Sequence, residues 1–84
     1  MTASGAGQTF TPDTVKIAVN GVVTWTFPGP NAHNVTFDSP QNAALNIDSR
    51  NSGSVDRTFG AAGRHTYRCT LHPGMSGAVV VRTP

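Results

Sequence analysis

The chain has 84 residues, which suffices for one small domain, and its single cysteine excludes an intrachain disulfide. Another source of stability is then needed in so small a fold, and a bound metal is one candidate. Charged residues make up only 12% of the chain, the net charge is +2, and no run of lysine or arginine occurs, which argues against a disordered tail and against nucleic-acid binding. We therefore expect one folded domain over residues 1–84 with no nucleic-acid partner.

The first half of the chain alternates apolar and polar residues between turn signals, the pattern of half-buried strands. Residues 2–10 are expected to supply a first strand, a weak one because residues 2–7 contain no large apolar side chain. The Asn20-Gly21 pair predicts a tight turn between the next two strands. The positions that share an inward face on these two strands are Val15, Ile17 and Val19, then Val23, Trp25 and Phe27.

The second half continues the same alternation, and about seven strands result in all. The inward-facing positions are Val35 and Phe37, Val55 and Phe59, His65, Tyr67 and Cys69, and the apolar run 78–81. Arg57 has the parity of the core positions around it, so a bulge or an edge position is expected to turn it outward. Residues 39–54 are interpreted as a long connection with at most one short helical turn. The pattern predicts an all-β sandwich or barrel.

One loop carries three potential metal ligands, Cys69, His72 and Met75, directly after one predicted strand and before another. Ligands three residues apart are separated by at most about 10 Å even in extended chain, so a curled loop can aim all three at one point. A fourth ligand must come from elsewhere. His33 is the natural candidate because it opens a strand where a sandwich gathers its loops, whereas His65 is expected about 13 Å further down its strand, in the core or at its rim.

The chemistry of this donor set points to copper. Two imidazoles and a thiolate with a weak thioether are the ligands of blue-copper electron-transfer sites. Structural zinc sites usually contain two or more cysteines, and magnesium and calcium prefer oxygen ligands. A cysteine nucleophile with a histidine base is a further interpretation, but a thioether contributes nothing to acyl transfer.

The order of the motifs along nearly the whole chain resembles the cupredoxins, specifically the plastocyanin, amicyanin and pseudoazurin group of small copper proteins. The motifs that carry the resemblance are Phe10-x-Pro12, Gly21-x-Val23-x-Trp25, His33-Asn34-Val35, Gly63-x3-Tyr67-x-Cys69 and Gly77-x-Val79-x-Val81. The two-residue spacings around His72 are those of the short ligand loop that amicyanin also shows. The resemblance implies a Greek-key β-sandwich with one type 1 copper at one end, bound by His33, Cys69, His72 and axial Met75.

The resemblance also assigns supporting roles near the copper. It places Asn34 beside the metal, where its side chain ties the His33 strand to the Cys69-Thr70 backbone, in line with the general need for outer hydrogen bonds that hold metal ligands. Asn34-Val35-Thr36 matches the N-glycosylation pattern as well, but we expect the structural role. Arg68 stands directly before Cys69, where plastocyanin has a surface tyrosine, so an electron route through that tyrosine is not expected.

These residues together predict a protein that is not an enzyme and that passes single electrons through His72. The apolar face expected around His72 would dock a redox protein such as a c-type cytochrome or a copper or haem oxidoreductase, and it consists of Leu71, Pro73, Gly74, Ala32, Pro28 and Pro30. We expect a monomer without a membrane span in the periplasm or extracellular space, although the chain carries no signal peptide.

Two other functions fit the same ligands. A periplasmic copper carrier or store would need further exposed methionine or histidine to hand over the ion, and the chain offers only Met1 and His65. A cupredoxin domain cut from a larger copper oxidoreductase would need additional His-x-His ligands, which the sequence does not contain.

Overall fold

The computed structural model describes residues 2–4, 10, 12–29, 31–72 and 74–83. Within these residues the chain forms eight strands and one short 3-10 helix. In chain order they are β1 (Thr2–Ser4), β2 (Thr14–Ala18), β3 (Gly21–Thr26), β4 (His33–Phe37), the 3-10 helix (Pro40–Leu45), β5 (Ile47–Arg50), β6 (Ser54–Phe59), β7 (Gly63–Arg68) and β8 (Ser76–Arg82).

The strands form two sheets, as the predicted all-β sandwich requires. One sheet has three strands in the order β1-β3-β6, and the other has five in the order β2-β8-β7-β4-β5. The pairs β1–β3 and β2–β8 are parallel, and the other pairs are antiparallel. Because β2 and β3 follow each other in the chain but lie in different sheets, the chain crosses between layers, and the Greek-key β-sandwich is confirmed.

Aromatic side chains fill the space between the two sheets. Trp25 on β3 is fully buried, and the rings of Phe37, Phe59 and Tyr67 surround it at centroid distances of 6.2, 6.1 and 5.4 Å. Large buried aromatic side chains dominate the energetics of small cores. Phe37 on β4 and Tyr67 on β7 therefore anchor the two neighbouring strands that lead to the predicted metal ligands.

The region 39–54 differs from the predicted connection. The expected short helical turn is the 3-10 helix, where Ser39 caps the first turn by accepting a hydrogen bond from the amide of Gln41 at 3.3 Å. The chain then forms β5, which pairs antiparallel with β4 and was not among the strands predicted from the sequence. Ile47 is the one buried side chain of β5, and one apolar residue gives no alternating signal.

Arg57 lies on the edge strand β6, as the sequence predicts. Of the two expected alternatives, a bulge or an edge position, the structure has the edge position, because β6 ends its sheet and pairs with β3 residue by residue from Gly21 with Phe59 to Thr26 with Ser54. The guanidinium reaches over the sheet edge, and its Nε and Nη2 donate to the carbonyls of Leu45 and Asn46, each at 3.1 Å. An inward-facing arginine at a sheet edge thus fastens the end of the 3-10 helix to the other sheet.

Candidate metal centre

His33, Cys69 and His72 meet where β4 begins and β7 ends. The two histidines face each other through their Nδ1 atoms, which lie 3.2 Å apart. Sγ of Cys69 lies 3.6 Å from Nδ1 of His72 and 3.9 Å from Nδ1 of His33. Among the residues that the structure describes, these three form the only cluster of histidine, cysteine and carboxylate side chains close enough to hold a metal ion.

The spacing of the three ligand atoms fits a single metal ion. Atoms with these separations lie on a circle of about 2.1 Å radius, so one point is equally distant from all three. Protein ligands bind a zinc ion at about 2.0–2.1 Å through nitrogen and about 2.3 Å through sulfur, and other first-row ions are of similar size. The chemistry of the donor set selects among them, because a thiolate with two imidazoles suits copper.

The loop that follows Cys69 returns Met75 to the same place. The amide of Cys69 donates to the carbonyl of Met75 at 2.9 Å, and the amide of Met75 donates to the carbonyl of His72 at 3.1 Å. Gly74 has a positive φ of 84°, a conformation that favours glycine, and this lets the loop close. The Met75 side chain is 1% exposed and lines one pocket with Cys69 and His72.

Asn34 connects the two segments that carry the ligands. Its Nδ2 donates to the hydroxyl of Thr70 at 2.8 Å, and its Oδ1 accepts from the Thr70 amide at 3.1 Å. The same Oδ1 also accepts from the hydroxyl of Thr36 at 3.0 Å, a contact not expected from the sequence although Thr36 has the same strand parity as Asn34. The Asn34 side chain is buried with its polar atoms occupied, so it does not offer a free acceptor for a glycan.

Burial also lowers the pKa of His33. The His33 side chain is buried, and this desolvation, followed by the nearby charge of His72, holds the pKa of His33 below its usual value. A lowered pKa favours the neutral imidazole, which is the form that offers a lone pair to a metal.

The three clustered ligands differ in their exposure to solvent. His33 and Cys69 are buried, whereas His72 is half-buried. Near it, the Leu71 side chain is 49% exposed. Thr70, Gly74, Ala32 and Pro28 are also exposed, whereas Pro73 and Pro30 lie outside the described residues. Of the three clustered ligands, His72 therefore reaches the surface most readily.

His65 lies outside this cluster. Its Nδ1 lies 3.0 Å from the side-chain nitrogen of Asn42, its Nε2 lies 2.9 Å from the carbonyl of Ala61, and its ring packs on Phe59 at 5.7 Å. Both ring nitrogens thus have partners that fasten the 3-10 helix and the turn between β6 and β7. The half-buried ring matches the predicted position at the rim of the core.

Comparisons with known proteins agree with this architecture. Residues 1–82 match the family model of copper binding proteins of the plastocyanin/azurin family, and the chain belongs to that family. Over 74 residues it is 36% identical to amicyanin-alpha of Methylorubrum extorquens, a match that covers 84% of this chain and 61% of that relative. The chain thus spans less than two thirds of the length of this curated relative.

Solved structures of amicyanin have the same fold as this chain. The reduced Cu(I) form of an amicyanin mutant at pH 4 matches with a TM-score of 0.87 and 28% identity, and an oxidized mutant matches with a TM-score of 0.87 and 29% identity. Each match covers 98% of this chain and 81% of the amicyanin chain. The predicted cupredoxin resemblance is confirmed, and copper is the metal of the family. In the described part of the chain, no helix has the length and apolarity to span a membrane.

Proposed function

We propose that this protein carries single electrons between redox partners, and that His33, Cys69, His72 and Met75 would hold one copper ion. The observation that carries the proposal is the triangle of two Nδ1 atoms and one Sγ atom with sides of 3.2–3.9 Å. Copper bound there supplies a one-electron couple between Cu(II) and Cu(I). The family match and the amicyanin relatives support the same function.

The chain's own contribution is a rigid donor set. His33 begins a strand whose next residues pack into the core, and Cys69 directly follows Tyr67 and Arg68 at the end of the neighbouring strand. Asn34 ties both segments together through Thr70. Ligands held in this way change position little between the two oxidation states, and the buried Cys69 and Met75 keep water from the inner side of the site.

His72 is proposed as the point where electrons leave and enter. It is the most accessible of the clustered ligands, and Leu71, Ala32 and Gly74 give it exposed, largely apolar surroundings. A small apolar surface suits brief contact with another redox protein, such as a c-type cytochrome or a copper or haem oxidoreductase. Pro73 is assigned to the same docking surface from the sequence.

Several broader properties go with this proposal. The protein acts as a monomeric carrier and not as an enzyme, in the periplasm or outside the cell, and residues 1–84 form one domain. The family match over residues 1–82 supports one domain, and the amicyanin relatives support the type of function. A copper carrier or store has no comparable support, because Met75 is buried and both ring nitrogens of His65 have partners.

Voltammetry of the copper-loaded protein tests the function directly. An electron carrier is expected to give a reversible one-electron wave in which the same copper is reduced and reoxidised. Loss of copper on reduction, or tight binding of Cu(I) alone, would favour a copper carrier instead.

The assignment of His72 as the point where electrons leave and enter has its own test, a comparison of Leu71→Asp with Arg68→Gln. A carboxylate at position 71 should slow self-exchange and cytochrome reduction about tenfold or more, because burying an unpaired charge in an apolar contact costs at least about 1.4 kcal/mol. Arg68 is exposed and paired with Asp38 at 3.4 Å, so its neutralisation should change mainly the dependence of the association rate on salt. If Leu71→Asp transfers electrons as fast as the parent and Arg68→Gln transfers them slowly at every salt concentration, electrons leave on the Arg68 side and not through His72.

A further inference from the structure

Three basic side chains lie together on the outer face of the five-stranded sheet. Val80 on β8 pairs with Lys16 of β2 on one side and with Arg64 of β7 on the other, and Arg82 follows two residues along β8 on the same face. Strands lie about 4.8 Å apart and alternate residues about 6.7 Å apart, so the three basic residues stand within about 10 Å of one another. All three are exposed, and they surround the partly exposed Val80.

These three cations have no acidic partner among the described residues. The one ion pair there joins Arg68 and Asp38, at 3.4 Å. We define the basic face as Lys16, Arg64 and Arg82 together with Arg68, which points outward from the same strand as Arg64.

The net charge of the protein is concentrated on this face. Its four cations are accompanied by two carboxylates, those of Asp38 and Asp13, which lie in a groove beside Arg64. The remaining charges balance, since Asp48 accompanies Arg50 on β5 and Asp56 accompanies Arg57 on β6. Four positive and two negative charges on the face equal the net charge of +2 of the whole chain.

We propose that the basic face binds an acidic surface of the protein's redox partner, an inference that rests on the proposed electron-carrier function. Three of its cations are spread around Val80 and Arg68 lies further along β7, so they do not converge on one point and suit a distributed negative patch better than a small anion. Asp13 and Asp38 would be buried against like charge by a uniformly anionic membrane or nucleic acid. A protein surface, in contrast, can place cations opposite these two carboxylates.

The position of the basic face relative to the candidate metal ligands indicates what a contact with an acidic partner would do. Arg64 and Arg68 lie on the same side of β7, and Arg68 directly precedes Cys69. An acidic partner attracted to the basic face is therefore oriented along the sheet with one end beside the candidate metal centre. Such complementary charge accelerates association and orients the encounter, and salt weakens both effects.

Titration of the 15N-labelled, Cu(I)-loaded protein with poly-L-aspartate tests this proposal by NMR. At low salt the amide shifts that change should cluster on β2, β7 and β8, and the changes should fade at about 0.2 M NaCl. Arg64→Gln should weaken binding about threefold, and the triple variant Lys16→Gln, Arg64→Gln, Arg82→Gln should lose it. Arg50→Gln is the matched control, because it removes the same charge from an exposed position on β5 and should change the affinity less than about twofold.

Three results would overturn the proposal. One is equal weakening by Arg64→Gln and Arg50→Gln, which would mean that only the net charge matters; another is a cluster of shift changes on a different surface. The third is tighter binding to phosphatidylglycerol vesicles than to poly-L-aspartate, which would make the face a membrane surface. None of these measurements requires electron transfer. If voltammetry gave no reversible wave, the proposed function would be refuted, but the titration would still show whether the basic face binds an acidic surface.

Discussion

Asn34 is the residue on which the alignment of the two ligand-bearing segments depends. Its amide group makes two hydrogen bonds to Thr70, directly after Cys69, while its own backbone directly follows His33. The residue thus sets the distance between one imidazole and the thiolate without contributing a ligand atom. Partners of this kind commonly change metal affinity 10- to 100-fold when they are removed.

We predict that Asn34→Ala lowers the copper affinity about 10- to 100-fold, because the Cys69 loop is no longer held to the His33 strand. Competition with a chelator measures the affinity, and faster hydrogen exchange of the Thr70 amide should report the loosened contact. Thr36→Val is the matched control, since it removes one bond to Asn34 Oδ1 but leaves both bonds to Thr70. An Asn34→Ala protein that binds copper as tightly as the parent would contradict the role of this side chain.

The sequence predicts which residues belong to the candidate site, but not which of their atoms face one another. The spacing of Cys69, His72 and Met75 places three donors on one loop, and His33 follows from its position at a strand end. No sequence pattern reveals that both imidazoles present Nδ1, because ring orientation depends on how β4 and the loop pack against the rest of the molecule. The contact of Thr36 with Asn34 is hidden for the same reason.

The pairing of β7 with β8 depends on a close approach between Tyr67 and Gly77. Tyr67 is fully buried, and burial raises the pKa of its hydroxyl, which therefore stays neutral inside the core. A Cβ atom at position 77 would lie 2.6 Å from both Cζ and the hydroxyl oxygen of Tyr67 and 2.8 Å from the carbonyl of Asp13. Only glycine fits there without displacing β7, the strand that leads to Cys69.

Gly77→Ala should therefore destabilise the protein by about 1–3 kcal/mol, the usual cost of overpacking a core. Urea unfolding at a fixed copper concentration measures the change in free energy. Gly60→Ala is the control, because the nearest atom to its new Cβ is the Asn20 side-chain oxygen at an ordinary 3.6 Å, and its effect should stay within about 0.5 kcal/mol. Equal stability of the two variants would refute the packing argument.

Strands with several inward apolar residues are visible in the sequence, whereas a strand with only one is not. Val23 and Trp25 mark β3, and Val79 and Val81 mark β8, because alternate buried side chains repeat the signal. β5 contributes Ile47 alone and owes its structure to pairing with β4. Such pairing between separated segments is a tertiary effect that local composition cannot report.

The whole molecule is small, and bound copper should add substantially to its stability. Cys69 is a free thiol, so no disulfide supports the fold, and 84 residues give a thin margin. An ion bound only by the folded state at a thousandfold excess over its Kd adds about 4 kcal/mol. Calorimetry should show a clearly higher melting temperature with Cu(II) than without, and little change for Cys69→Ser. Equal midpoints for the parent protein would show that the fold is independent of the metal.

The most direct measurement of the central claim is a visible absorption titration with Cu(II) on the parent protein and on Cys69→Ser. If His33, Cys69 and His72 hold one copper, the parent should develop an intense blue thiolate-to-Cu(II) band that saturates at one ion per chain. The serine variant, which keeps both imidazoles and Met75, should lack the band. An intense band that persists in Cys69→Ser, or a parent protein that binds copper without one, would contradict the assignment of this site.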